Sequence, residues 1–250
     1  MDGGGYREMH EVWYVEGTSW SPVVEAVARE EAVGIYCDGL LVEEISCTPE
    51  DLEDLAVGYV FTSGVLADLD ECSYIEAVSG NRRFGIRPCD LRALCASRAA
   101  QALRSRGIEA DGAPFGVSPE AVHRASFALL DAQRMHRGTG ATHAAAFADF
   151  EGRYRCVRED IGRHNAVDKL IGALLREGVD PLSGFVHLSS RCALDLVRKC
   201  ATYGIRLVST VSAPTSAVLE FADERGITLC AFARNGHFTV YTHPETLVRR

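Results

Sequence analysis

The chain has 250 residues, enough for one large domain or two small ones. At 47% hydrophobic, 24% charged and a net charge of −9, it reads as an ordinary globular protein whose acidic surface disfavours nucleic acid as a partner. No apolar stretch reaches membrane-spanning length and Met1–Glu16 lacks the basic-then-apolar order of a signal peptide, so we expect no membrane partner, a cytoplasmic location and cysteines kept as free thiols.

Met1–Tyr6 reads as a loose tail, and alternation over Glu11–Val15 predicts a strand. Asp38-Gly39, between Gly34–Cys37 and Leu40–Ile45, is a strong hairpin signal. Thr48-Pro49 predicts a helix start with Thr48 as cap, and Leu52, Leu55, Ala56, Tyr59 and Val60 keep helical spacing up to a stop at Gly64. A second hairpin is expected over Ser73–Val78 and Arg83–Arg87 around Gly80-Asn81, then a helix over Cys89–Arg106 and a glycine-rich linker over Gly107–Gly116. Ser118-Pro119 caps a helix expected to run to Arg137.

Strands and helices then alternate: strands at Ala144–Asp149 and Tyr154–Arg158, a helix at Asn165–Arg176, a strand at Phe185–Leu188, a helix at Arg191–Tyr203, a strand at Arg206–Val211, a helix at Thr215–Arg225, and strands at Ile227–Phe232 and Phe238–Tyr241. The expectation is α/β, a layered sheet with helices on its faces over residues 117–250, plus a smaller α+β hairpin-and-helix part over residues 1–110.

The densest chemistry is Arg158-Glu159-Asp160-Ile161-Gly162-Arg163-His164-Asn165-Ala166-Val167-Asp168-Lys169, set between apolar segments. Strand, glycine turn and helix start in that order aim backbone N–H groups and side chains at an anion; a charged helix N-terminus steadied by its dipole is the plainer reading. Thr139–His143, Ser189–Arg191, Ser212–Thr215 and the turn Arg234–His237 add polar clusters at or beside strand ends, where open α/β sheets hold ligands. Arg163, Arg191 and Arg234 suit forked contacts to phosphate, and Asp160 or Asp168 suits the amine edge of a guanine. For each hydroxyl, simple N-capping is the alternative. Zinc deaminases carry H-x-E and P-C-x-x-C at successive helix starts; here the places read His164-Asn165-Ala166 and Ser189-Ser190-Arg191-Cys192, so no metal, and zinc in particular, is expected.

Thr139–Ala145, Glu159–Lys169, Ser212–Thr215, Phe232-Ala233-Arg234 and the run Thr48–Leu52 with Leu55–Tyr59 resemble the FdhD family, the formate dehydrogenase accessory sulfurtransferases, over roughly residues 34–242. The resemblance implies a deaminase-like domain without zinc chemistry, a homodimer, and sulfur taken as a persulfide from a cysteine desulfurase. The sulfur would pass to the molybdenum of the bis-molybdopterin guanine dinucleotide cofactor before insertion into formate dehydrogenase or a related enzyme.

The family's cofactor stretch falls on Phe232, Ala233, Arg234, Asn235, Gly236 and His237, with His237 where the family has Arg. Arg163, His164, Asp168, Lys169, Arg191 and Thr215 complete the expected binding set. The family's paired cysteines are missing: Cys95 falls on the second of them, Arg92 on the first, and Cys89 is the alternative carrier. Cys95 beside Arg92 and Arg98 suits a lowered-pKa thiolate; a small core residue is the competing reading. If neither cysteine carries sulfur, the chain would bind the cofactor as a chaperone only.

Overall fold

The computed structural model describes residues 5–64, 74–86 and 116–248. The expected helix over Cys89–Arg106, nearly all of the following linker, and both candidate sulfur carriers, Cys89 and Cys95, lie outside the described residues.

Strands β1 (Arg7–Glu16) and β2 (Ser19–Ala28) pair antiparallel along their whole length and join no other sheet among the described residues. The second strand carries no strand signal in sequence because Pro22 interrupts it; Pro22 is tolerated because β1 and β2 pair with no third strand among the described residues.

β3 (Glu31–Cys37), β4 (Leu40–Cys47), β5 (Ile75–Ser79) and β6 (Arg82–Ile86) form an antiparallel sheet in the order β4-β3-β5-β6. Asp38 and Gly39 both take positive φ, 48° and 83°, as the predicted two-residue turn requires. Cys37 is disulfide-bonded, which corrects the expectation of free thiols: pairing depends on which sulfurs the fold brings together, and spacing alone does not show that.

Helix α1 (Leu52–Thr62) starts later than Thr48-Pro49 predicted. Thr48 is buried and bonds to Asp160, so its hydroxyl is not available to cap the helix.

Helix α2 (Pro119–Ala132) is capped by Ser118, whose side chain accepts from the Ala121 N–H. The expected continuation to Arg137 breaks at Gln133, and a short α3 (Arg134–Thr139) ends on the left-handed Gly140. A six-stranded sheet follows, built from β7 (His143–Asp149), β8 (Tyr154–Asp160), β9 (Gly184–Leu188), β10 (Leu207–Thr210), β11 (Thr228–Arg234) and β12 (His237–Thr242). Its order is β12-β11-β10-β9-β7-β8; β9, β10 and β11 are parallel, and the edge hairpins are antiparallel.

Alternation sends the side chains of each strand to two cores. Ala148, Phe185, Leu207 and Cys230 pack under α2. Phe147, Val186, Val208 and Leu229 pack against α4 (Arg163–Arg176), α5 (Leu194–Tyr203) and α6 (Ser216–Glu224). Helices therefore cover both faces of the sheet, the layered α/β arrangement expected.

The four-stranded sheet reaches this body through α1, which lies directly on α4. A Cβ on Gly58 would sit 1.8 Å from the Asp168 carbonyl oxygen, and one on Gly172 would sit 1.9 Å from that of Asp54, so the two helices cross in backbone contact that only glycine permits. No described helix is long and apolar enough to cross a membrane.

Candidate functional site

The strand directions gather the polar clusters at one end of the six-stranded sheet. β8, β9, β10 and β11 end there, and β7, running the other way, begins there, with His143 opposite Asp160. Helices α4, α5 and α6 start from those strand ends behind the extended N-caps Gly162, Ala193 and Thr215, none of which makes a side-chain cap. Thr215 is thus an exposed hydroxyl beside free helix-terminal N–H groups rather than a cap. Several such termini at one edge favour an anion.

Short bonds fix the loops to one another. The Ala144 N–H donates to Ser189 Oγ at 2.7 Å, the Thr210 hydroxyl to the Ser190 carbonyl at 2.5 Å, the Cys192 N–H to the Ala213 carbonyl at 3.2 Å, and the Phe232 N–H to the Ser212 carbonyl at 3.1 Å. Phe232 holds a φ of +54° within a bulge between Ala231 and Arg234, a costly conformation for an aromatic residue, of the kind that concentrates at functional sites. The Arg234 guanidinium lies 5.8 Å from the Phe232 ring centre. Ala233 is buried, and its carbonyl accepts from the Ser126 hydroxyl of α2 at 2.5 Å. Asn235 and Gly236, both at positive φ, turn the chain into β12, with His237 exposed opposite Arg234.

The motif at 159–169 divides. Arg163 is half-buried, near enough to His143 to push that imidazole down, and His164 is partly exposed with its Nε2 on Asp195. The other polar members turn inward. Glu159 takes the N–H groups of Met135 and His136, each at 2.8 Å, and the Thr142 hydroxyl at 2.9 Å.

Asp160, fully buried, accepts from the Thr48 N–H at 3.0 Å, the Thr48 hydroxyl at 2.9 Å, the Gly162 N–H at 2.8 Å and Asn165 at 3.0 Å, and pairs with Lys169 at 2.6 Å. Lys169 also donates to the Thr48 carbonyl and hydroxyl. Asp168 is held by Lys199 at 2.8 and 2.9 Å and by the Thr62 hydroxyl at 2.6 Å. Asp168 and Lys169 therefore lie in the junction between α1 and α4, apart from the half-buried Arg163 and the exposed Arg191, Thr215, Arg234 and His237 at the strand ends.

On the α2 side the same edge opens into a cleft of about 440 Å³ lined by Ser126, Gln133, His136, Thr142, His143 and Ser189, among others. His143 is half-buried, and burial first, then Arg163 and His136, lowers its pKa, so it presents a neutral imidazole near neutral pH. His143 and Ser189 fall in the Thr139–His143 and Ser189–Arg191 clusters but outside the expected binding set; Ser126, inside α2, and Gln133, at its C-terminal end, carry no motif signal. Directly inward from Ser189 and Val211 lie His187 and Ser209, partners across β9 and β10, whose buried polar side-chain atoms have no hydrogen-bond partner. Among the described residues no group of His, Cys, Asp or Glu is placed to hold a metal ion.

The free cysteines among the described residues, Cys47, Cys156, Cys192, Cys200 and Cys230, are all buried. Burial pushes Cys47, Cys192 and Cys230 up to about 12 and Cys156 to about 11, and raises Cys200 as well. None of them is a thiolate near neutral pH.

A sequence model of the FdhD/NarQ family matches residues 28–248. The chain belongs to this family. It is 37% identical over 244 residues to the sulfur carrier protein FdhD of Bordetella petrii, covering 89% of this chain and 87% of that one. It is 36% identical to the protein of the same name from Chromobacterium violaceum, with 92% of each chain covered. The crystal structure of a putative formate dehydrogenase accessory protein from Desulfotalea psychrophila superposes with a TM-score of 0.77 at 23% identity, over 97% of this chain and all of that one. The family match covers the four- and six-stranded sheets and the whole strand-end edge.

Proposed function

We propose that the chain is a sulfur carrier for maturation of a formate-dehydrogenase-like enzyme, and that the strand-end edge holds its cargo, the molybdenum bis-molybdopterin guanine dinucleotide cofactor. The observation that carries the reading is the convergence at one edge of the helix N-termini of α4 and α6, free of side-chain caps, with Arg163, Arg191 and Arg234, in a chain whose relatives bear the name sulfur carrier. Arg163, Arg191 and Arg234 contact phosphate oxygens, and Thr215 and the Phe232–His237 stretch shape the nucleotide's seat. His164, oriented by Asp195, presents its other ring nitrogen to the ligand. Asp168 and Lys169 serve the site by holding α4 in place. His237, where the family has Arg, offers phosphate a single ring N–H in place of a forked guanidinium. The deaminase-like character of this domain rests on its edge hairpin followed by parallel strands.

The sulfur step assigns Cys95 as carrier, with Cys89 as the alternative, since the described free thiols are buried and protonated. The Cys95 thiolate attacks the outer sulfur of a cysteine desulfurase persulfide. The donor's S–S bond breaks, the donor cysteine leaves as a thiolate, and the outer sulfur stays on Cys95 as a new persulfide.

The missing cysteine pair favours one other reading, a cofactor-binding chaperone that moves no sulfur. Intact-mass analysis after incubation with a cysteine desulfurase and cysteine separates the two. A reductant-sensitive gain of one sulfur, lost in Cys95→Ala or Cys89→Ala, is the expected result. No gain in wild type, alongside a relative that does gain sulfur, leaves the chaperone.

A further inference from the structure

The cleft on the α2 side of the edge is built differently from the edge itself. The strand ends carry Arg163, Arg191 and Arg234, whereas no Lys, Arg, Asp or Glu lines the cleft among the described residues. Leu129, Leu130 and Val211 supply apolar wall, and the polar lining groups are amide, hydroxyl and imidazole. A phosphate entering there would meet no guanidinium or ammonium to replace its hydration. A flat uncharged ring with a polar edge suits a cleft of this size and lining.

Gln133 is the group in this lining that the fold leaves unused. It stands where α2 breaks from α3, at φ −82° and ψ 83°, and is only 5% exposed. Its backbone N–H is bonded to the Leu129 and Leu130 carbonyls, but its side-chain amide has no hydrogen-bond partner among the described residues. A buried carboxamide without partners costs free energy that a bound ligand can recover. Its neighbours are already oriented. His136 Nδ1 faces the Thr142 carbonyl at 2.9 Å, so that nitrogen holds the proton, and in the neutral ring Nε2 is an acceptor. Ser189 Oγ accepts the Ala144 N–H, which leaves the hydroxyl proton to donate. Behind Ser189 and Val211, the unpartnered His187 and Ser209 keep the floor polar. The lining thus offers an acceptor, a donor, and an amide that is both.

Given that the strand-end edge is the cofactor's seat, as proposed above, we infer that this cleft takes the cargo's flat heterocycle and that Gln133 reads its amide edge. That edge, an adjacent ring N–H and C=O with an exocyclic amine, is common to guanine and pterin. The ring N–H and amine donate to the Gln133 carbonyl and His136 Nε2, and the ring carbonyl accepts from the Gln133 amide and Ser189. The position fits a ligand that spans both compartments. The Ser126 hydroxyl, in the cleft wall, holds the Ala233 carbonyl next to Arg234, and Ser189 lies two residues before Arg191. A heterocycle in the cleft therefore has its phosphates beside the arginines.

The test is calorimetric titration of the full chain with guanosine, pterin and adenosine, none of which carries phosphate. The expected result is binding of guanosine or pterin with a Kd below about 1 mM, and the one that binds names the ring. Adenosine should bind at least about tenfold more weakly, because its ring nitrogen accepts where the amide edge donates. Gln133→Leu, which keeps the side chain's size, should weaken the bound probe about tenfold or more at unchanged melting temperature. Ala141→Trp, at the exposed rim of the cleft, should block the probe independently of Gln133. A wild type that binds neither guanosine nor pterin, adenosine binding as tightly, or wild-type affinity in the two folded variants would each overturn the inference. Guanosine diphosphate bound by a wild type that takes neither probe would leave the phosphate seat standing without the cleft. A probe bound by a wild type that rejects guanosine diphosphate would overturn the phosphate seat instead.

Discussion

The two halves of the 159–169 motif look alike in sequence and behave differently in the fold. Arg163 and His164, at the first turn of α4, face the strand-end edge. Asn165, Asp168 and Lys169, with Gly172, follow the three- and four-residue spacing of one helix face, and that face meets α1 and the Thr48 loop. The inward half joins the N-terminal sheet to the six-stranded sheet's domain through buried polar contacts; the outward half stays at the strand-end edge. Density of charge in a sequence therefore marks a constrained place without saying whether a ligand or another part of the chain supplies the constraint.

The sharpest way to break this division is to fill the helix crossing. Gly172→Val places side-chain carbon against the Asp54 carbonyl, and loss of the cooperative melt is expected by calorimetry. Next comes Lys169→Met, which strands the fully buried Asp160 carboxylate. A loss of about 3–5 kcal/mol in urea unfolding is expected, as for other broken buried pairs.

His187 gives a pH-dependent measure of the core around the six-stranded sheet. Burial pushes its imidazole down to about 4 from 6.5. A histidine with a depressed folded pKa leaves the unfolded chain binding more protons between those values. Stability is therefore full above about pH 6.5 and falls as the pH drops toward 4, by about 3 kcal/mol in all. His187→Leu should remove that slope, read as the difference between the two proteins' pH–stability curves. The smallest effect on stability belongs to the outward half: Arg163→Gln should stay within about 0.5 kcal/mol of wild type while weakening guanosine diphosphate binding by about tenfold or more.

Much of the fold is legible because local chemistry decides it. Asp38-Gly39 selects its turn, Ser118-Pro119 starts its helix, and the strand–helix alternation after His143 gives the layered sheet. What is not legible depends on partners distant in sequence. Thr48 reads as a helix cap until Asp160, 112 residues away, takes its hydroxyl. Gly58 and Gly172 read as ordinary helix glycines until two backbones meet there. At the site, the polar clusters could be placed at strand ends from pattern alone. The inward turn of Asp168 and Lys169 could not, because helical spacing gives a face without saying what covers it. The cleft residues Ser126 and Gln133 sit on and at the end of a helix whose place against β11 no motif announces.

The most direct test of the central claim is one calorimetric series: guanosine diphosphate titrated into wild type, Arg163→Gln and Arg234→Gln, with the melting temperature of each recorded. Micromolar binding by wild type, weakened about tenfold or more in both variants at unchanged melting temperature, is the predicted result. No binding by wild type, or full binding by both variants, would contradict the assignment of the strand-end edge as the cofactor's seat.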